Sequence, residues 1–241
     1  MIILTKKDML FYSIMFVILV LAIFTPITAK KYSEDFINTT AELEQVTIVV
    51  DAGHGEPDGG AVSENGIKES DLNLQIAEKL KVKLENENFK VVMTRENENN
   101  VADLAVQNSS IREIKTADLN NRVKIANESN ATLLVSIHMN KFQDSKYRGW
   151  QTFYSQSSEK GKKLAESIQE SIKGNVQIEN NRTALKIDGI KIIDKSVIPA
   201  VIIECGFLSN YEECELLQDD GYQDKLAEGI KIGIEKYLKS I

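Results

Sequence analysis

The chain has few cysteines and few prolines, and it has no long run of like charges. Two cysteines, Cys205 and Cys214, are too few for a disulfide-stapled scaffold, and we expect buried thiols rather than a bridge between them. Three prolines and a hydrophobic fraction of 42% exclude a proline-rich or disordered chain. The sequence shows no fixed internal period, which excludes a solenoid. A length of 241 residues then predicts one domain with a short appendage.

Positive charge is also scarce. The chain carries 29 basic and 36 acidic residues, for a formal net charge of -7. Nucleic acid is therefore excluded as a partner, because phosphate binding needs a basic face. No polybasic block marks a membrane-surface patch. A polar glycan strand stays compatible with this balance.

One hydrophobic segment stands apart from the rest of the sequence. Residues 9–28 carry no charge, lysines flank them on both sides, and as a helix they would span roughly 30 Å, about the thickness of a bilayer core. We predict that residues 1–29 are a signal peptide or membrane anchor, 30–45 a polar linker and 46–241 an exported domain. The sequence at 27–29 is a poor cleavage site, which favours an anchor.

From Val46 onward, short apolar runs alternate with amphipathic stretches. Such alternation predicts an α/β fold, with a mostly parallel sheet flanked by helices on both faces. The predicted strands are 46–50, 89–93, 132–137, 151–154 and 200–203. The predicted helices are 70–88, 119–129, 159–172, 211–218 and 223–238.

Both histidines of the chain directly follow predicted buried strands. His54 follows the first strand, His138 ends another, and Glu204 stands in the same relation to a third. Ligands of open α/β sheets gather at the carboxyl ends of the strands, so these three groups can converge. Imidazole and carboxylate suit zinc, which lowers the pKa of a water to about 7, while a nearby carboxylate acts as general base. The competing interpretation is a pair of structural histidines.

A further carboxylate is needed to complete three zinc ligands. Glu69 begins the helix after a glycine-rich loop, 53–66, that holds five of the 13 glycines and lacks the nucleotide-binding patterns. Several acidic neighbours could serve equally well, so the residues alone leave the choice open: Glu56, Asp58, Glu64 and Asp71.

Five stretches together resemble the zinc-dependent N-acetylmuramoyl-L-alanine amidases of the family called Amidase_3. They are IVVDAGHGEPDGGAV, GIKESDLNLQIAEKL, VMTREN, NRVKIANESNATLLVSIHMN and IPAVIIECGFLSN, in the family's order across residues 46–241. The resemblance implies a twisted sheet in a single catalytic domain and one zinc ion per chain. It implies His54, Glu69 and His138 as zinc ligands and Glu204 as the catalytic carboxylate. The implied reaction cuts the amide between muramic acid and L-alanine in peptidoglycan.

Four more polar residues fall in the shared stretches and are weaker candidates for substrate contacts. They are Arg95, Asn127, Asn140 and Asn210. Each could equally hold a loop in place, and the resemblance does not decide between these roles.

The runs at 149–154 (GWQTFY) and 206–210 (GFLSN) look most like the spore-cortex amidase of endospore formers. That likeness implies a role in forming muramic lactam in the space between the forespore membranes. Muramic lactam is a modification of the cortex that is recognised at germination. Some relatives need an activating partner protein, so a partner is expected here too.

Three alternatives remain open at this point. The chain could be an inactive binding protein on the amidase fold, although all four site residues are present. It could be a zinc hydrolase acting on another cell-wall bond. It could also hold a structural zinc, with Glu204 as a fourth ligand closing the site to water.

Overall fold

A computed structural model describes Met15 and residues 45–103, 106, 108–176 and 178–241. The chain divides into two compact units, Met1–Gln45 and Val46–Ile241. The predicted signal or anchor and almost all of the predicted linker lie outside the described residues. Across the part that is described, no helix is both long and apolar enough to span a membrane.

The second unit is built on a six-stranded sheet with the order β2-β1-β3-β6-β4-β5. The first four strands in this order are parallel to one another. Strand β4 is antiparallel to β6, and β5 is parallel to β4. The sheet is therefore mixed, with a parallel majority as predicted. The strands are β1 (Thr47–Ala52), β2 (Lys90–Met93), β3 (Leu133–Asn140), β4 (Gln151–Ser155), β5 (Leu185–Ile187) and β6 (Ala200–Phe207).

Helices cover both faces of this sheet, which confirms the predicted fold class. They are α1 (Glu69–Asn86), α2 (Ile111–Glu128), α3 (Glu159–Asn175), α4 (Lys191–Asp194), α5 (Tyr211–Gln218) and α6 (Asp220–Leu238). The larger core lies where α1, α3, α5 and α6 pack on one face. The smaller core lies on the other face, under α2 and α4.

Strand periodicity decides which side chains face which layer. In β1, Ile48 and Val50 point into the larger core, whereas Val49 points into the smaller one. In β3 the same alternation sends Val135 and Ile137 to the larger core. It therefore places His138 on the face covered by α2 and α4.

Several boundaries differ from the sequence prediction. Helix α2 begins at Ile111 rather than near Leu119, and neither β5 nor α4 was predicted. Strands β3 and β6 continue past His138 and Glu204, so both residues lie within strands rather than after them. Cys205 and Cys214 are free and buried, as expected.

Candidate active site

Three side chains converge at the carboxyl end of the parallel strands. Nε2 of His54, in the loop after β1, lies 3.3 Å from Oε1 of Glu69, the first residue of α1. Nδ1 of His138, on β3, lies 2.9 Å from the same oxygen. One donor atom from each residue falls within 4.8 Å of the other two. This is a preformed group of two imidazoles and a carboxylate, which is the donor set of catalytic zinc sites.

Glu69 is fixed in this group by the backbone around it. The residue is only 4% exposed. Its Oε2 accepts a hydrogen bond from the amide of Ala61 at 2.8 Å, and its Oε1 accepts one from the amide of Met139 at 3.1 Å. Burial raises the carboxyl pKa, but His138 and His54 outweigh it and hold the pKa of Glu69 well below its usual range. Glu69 is therefore an ionised carboxylate aimed at both imidazoles.

Two glycines make room for these side chains. A Cβ on Gly53 would lie 2.2 Å from Nε2 of His138. A Cβ on Gly60, which has a φ of +69°, would lie 2.5 Å from Oε2 of Glu69. Part of the glycine density in this loop thus reflects the space that the ligand side chains occupy.

Asp58 orients His54 from the other side of the ring. Its Oδ2 lies 2.9 Å from Nδ1 of His54, which leaves Nε2 directed at Glu69. Burial lowers the pKa of His54, but the hydrogen bonds and charges of Asp58 and Glu69 outweigh it and raise that pKa to about 9. A carboxylate on the far nitrogen of a ligand histidine fixes its tautomer and ring orientation.

Two buried arginines support the backbone that carries His54. Arg95 donates to the carbonyls of Ala52 and Gly53 at 2.8 and 3.1 Å. Arg122 donates to the carbonyls of Ala52 and His54.

Arg122 is itself anchored by two acidic residues. It bonds Oδ1 of Asp51 at 2.7 Å and Oδ2 of Asp118 at 2.8 Å. The other oxygen of Asp51 accepts from Ser136 at 2.5 Å. We call Asp51, Asp118, Arg122 and Ser136 the polar brace. It ties β1, β3 and α2 together directly under the metal-binding group.

Glu204 stands beside this group on the neighbouring strand. It is the register partner of His138 and therefore shares its sheet face. Its Oε2 is buried and has no hydrogen-bond partner among the described residues. Burial is the main cause that raises the pKa of Glu204 to about 7; His138 opposes the rise and Glu69 adds to it. A carboxyl group with such a pKa can accept and return a proton near neutral pH.

A cavity of about 370 Å³ opens over these side chains. His54, His138 and Glu204 form its polar floor. Its apolar lining residues are Leu119, Ile190, Ile192 and Ile202. Charged side chains complete the lining: Asp51, Asp58, Lys115, Asp118 and Arg122.

The four weaker candidates form hydrogen bonds within the fold, and Asn127 does so toward the amino end of β6, away from the site. Arg95 supports the His54 loop, as described above. Asn127 joins α2 to the segment at 195–197, donating to Lys195 and accepting from Val197. Oδ1 of Asn140 accepts from the amide of Lys141. Asn210 caps α5 and donates to the carbonyl of Ser145 at 2.7 Å. Their contact with substrate stays a prediction.

The sequence reasoning did not assign roles to Asp58 or to the polar brace. Asp58 was noted only as one of several acidic neighbours, although its spacing of four from His54 was a usable signal. Asp118 and Arg122 also lie four apart, which places them on one side of a helix. The missing information was that this side faces Asp51.

Comparison with known proteins gives consistent matches. The family model described as N-acetylmuramoyl-L-alanine amidase matches residues 48–236. The germination-specific N-acetylmuramoyl-L-alanine amidase of Bacillus subtilis is 38% identical over 191 residues, which are 79% of each chain.

Solved structures agree with these matches. The CwlD amidase of Clostridioides difficile, in complex with the GerS lipoprotein, is 42% identical with a TM-score of 0.79, over 82% of this chain and 100% of that one. An N-acetylmuramoyl-L-alanine amidase of Clostridium difficile 630 is 34% identical with a TM-score of 0.71, over 81% and 98% of the two chains.

Proposed function

This chain belongs to the N-acetylmuramoyl-L-alanine amidase family, and from that premise we propose that it uses one zinc ion held by His54, Glu69 and His138, with Glu204 as the catalytic carboxylate. The enzyme hydrolyses the amide bond between N-acetylmuramic acid and L-alanine in peptidoglycan. The observation that carries the metal assignment is the convergence of three donor atoms within 4.8 Å, next to a buried carboxyl group.

The residues fit zinc in number and kind. Two imidazoles and one carboxylate leave a fourth position free for water or substrate. Asp58 holds the far nitrogen of His54, as the partners of zinc-bound histidines commonly do. A zinc ion bound there supplies a Lewis acid for the amide carbonyl and a water of lowered pKa.

Glu204 supplies the proton transfers. Its carboxyl group, with an unpartnered Oε2 beside the strand of His138, takes a proton from the attacking water. The same carboxyl group then protonates the amine of L-alanine as that group leaves.

The test measures zinc content and amidase activity of the full chain on peptidoglycan. We compare wild type with Glu204→Gln, which keeps the shape of the side chain but cannot accept the proton. We expect one zinc per chain in both proteins, and activity at least about a hundredfold lower in the variant. The matched control is Glu64→Gln, at an exposed position of the glycine-rich loop.

His138→Ala provides the second arm, and it should lose zinc and activity together. Wild type that holds zinc but shows no turnover, even with a partner protein present, would favour a structural site or an inactive binding protein. Release of a product other than free L-alanine amino termini would favour a zinc hydrolase for another cell-wall bond. Loss of zinc from Glu204→Gln would make that residue a fourth ligand.

We also propose a role in the spore cortex, supported by the germination-specific relative. Peptidoglycan lies outside the cytoplasmic membrane, so the catalytic domain acts there. Residues 9–28 would anchor it or direct its export. The relative solved with a lipoprotein supports an activating partner protein for this chain.

A further inference from the structure

Three aromatic rings pack together beyond the ends of β3 and β6. The ring centroids of Phe142 and Phe207 are 5.3 Å apart, and those of Phe142 and Tyr147 are also 5.3 Å apart, with the latter two rings nearly perpendicular. Phe207 is buried, while Phe142 is 48% and Tyr147 39% exposed. We call these three residues the aromatic shelf.

The aromatic shelf lies close to the catalytic pair. Phe207 is the register partner of Asn140, one step beyond the pair His138 and Glu204. Two residues of strand correspond to about 7 Å. The register shifts between these two pairs, because β6 contributes one more residue than β3 over this step. Such a bulge redirects the side chains that follow it.

The loop that carries the two exposed rings is held firmly. The buried carboxylate of Glu213 accepts from the amide of Gly149 at 2.7 Å and from that of Phe207 at 2.8 Å. The amide of Phe142 donates to Oγ of Ser209 at 3.1 Å. With the bond from Asn210 described above, the loop is tied to the connection between β6 and α5. A surface ordered before binding loses little entropy when a ligand arrives.

The charges around the aromatic shelf differ from those of the whole chain. Residues 141–148 carry three cations, Lys141, Lys146 and Arg148, against one anion, Asp144, in a chain of net charge -7. Lys146 pairs with Asp144 and lies 5.4 Å from the centroid of the Tyr147 ring, and Arg148 lies 3.5 Å from Glu212. The guanidinium of Arg182 lies 5.0 Å from the centroid of the Phe207 ring. Aromatic faces with hydrogen-bond donors at their rim suit an N-acetylated sugar, which has an apolar C–H face and carbonyl and hydroxyl acceptors.

We propose that the aromatic shelf is a glycan subsite, which takes a sugar ring of the strand next to the muramic acid whose amide is cut. The inference rests on the proposed function, because it places the polymer relative to that bond. Two partly exposed rings are small for a protein interface, which typically buries at least about 1,000 Å². They match the size of one sugar ring.

The experiment measures binding of the full chain to purified glycan strands from which the stem peptides have been removed. The variants are Phe142→Ala, Tyr147→Ala and the double variant. We expect the double variant to bind about tenfold more weakly. Phe142→Trp keeps an aromatic face and should bind within about twofold of wild type. Val82→Ala removes comparable exposed apolar surface from α1 and serves as the control.

A second readout separates recognition from support of the site. On intact peptidoglycan the double variant should show a raised KM, with kcat within about twofold of wild type and unchanged zinc content. Loss of zinc or a matching fall in kcat would make the aromatic shelf a structural support and overturn the inference. Glycan binding equal to wild type, or a wild type that binds no strands, would overturn it as well.

The two proposals fail in different ways. Binding to stripped strands needs no hydrolysis, so a wild type that binds strands without cutting peptidoglycan contradicts the proposed function only. A double variant that binds strands normally but no longer responds to a partner lipoprotein would assign the aromatic shelf to a protein interface and overturn the glycan subsite.

Discussion

Glu204 is held in an electrostatic conflict between burial and charge. Its carboxyl group is buried beside His138 and Glu69, and among the described residues its Oε2 has no hydrogen-bond partner. Burying an unpaired charge is costly, so the folded protein favours the protonated form. The residue proposed as the catalytic base therefore lowers the stability of the metal-free fold when it is ionised.

This conflict predicts a pH-dependent stability difference. The pKa of Glu204 is about 7 in the folded chain and about 4.3 in an unfolded one. Because the folded value is higher, the stability that the protonated group contributes is fully present below pH 4.3 and is lost as pH rises through 7. In the metal-free full chain, the free energy of unfolding of Glu204→Gln minus that of wild type should increase by about 2 kcal/mol from pH 5 to pH 8.

Urea unfolding at the two pH values measures this gain. Glu64→Gln, at an exposed position, is the control. A constant difference between wild type and Glu204→Gln at both pH values would show that the carboxyl group is already ionised at pH 5.

The choice of Glu69 as the third ligand illustrates what single residues reveal in sequence. Asp58 and Glu56 are acidic residues of the same glycine-rich loop, so the family resemblance alone distinguishes Glu69 from them. In the structure Asp58 bonds His54 and Glu56 pairs with Lys68. Of these three residues, Glu69 alone accepts hydrogen bonds from the backbone amides of two separate segments, and such long-range contacts leave no local sequence pattern.

At the scale of elements, the polar brace links two strands and a helix. Arg122 and Asp51 are 2% and 1% exposed, so neither charge is solvated by bulk water. Their attraction lowers the pKa of Asp51, against the opposing effect of its burial. Removing one member of such a pair leaves the other charge buried and alone.

We therefore expect Arg122→Met to destabilise the full chain by about 3–5 kcal/mol in urea unfolding. The double variant Asp51→Asn/Arg122→Met removes both charges and should recover part of the loss. Lys124→Met, at an exposed position of the same helix, should stay within about 0.5 kcal/mol of wild type. If Arg122→Met alone were as stable as wild type, the polar brace would contribute nothing.

Elements with a buried apolar face could be predicted, and elements without one could not. The first turns of α2 expose most of their side chains, so apolar periodicity began only near Leu119. The available signal was the capping box of Ser110 and Glu113, which the structure contains. Strand β5 has only three residues, two of them exposed, and the four-residue α4 is too short to show a period.

The direction of a strand within the sheet is also hard to predict from the sequence. The run at 151–154 predicts β4 correctly, but its antiparallel pairing with β6 depends on where the chain crosses the sheet. The absence of a helix between β3 and β4 was a usable hint, since parallel strands need a long crossover. The ligand-bearing strands β1, β3 and β6 follow the parallel pattern, which is why the position of the site could be predicted.

At the scale of the whole molecule, the metal-binding group joins segments that are far apart in the chain. His54 follows β1, Glu69 begins α1, and His138 lies in β3, the neighbour of β1 at the centre of the sheet. An ion bound to all three would connect these elements across more than 80 residues of sequence. Because the unfolded chain does not hold the three together, the binding free energy of zinc adds to the stability of the fold.

The resulting prediction is a stability that depends on zinc. In wild type, the free energy of unfolding should rise by about 1.4 kcal/mol for each tenfold increase of free zinc above the dissociation constant. His138→Ala should remove this slope, because two remaining donors bind zinc far more weakly. Magnesium prefers oxygen ligands and should give no slope, which makes it the control ion. A zinc slope that persists in His138→Ala would place the bound ion elsewhere, and a flat response in wild type would contradict a metal site formed by these three residues.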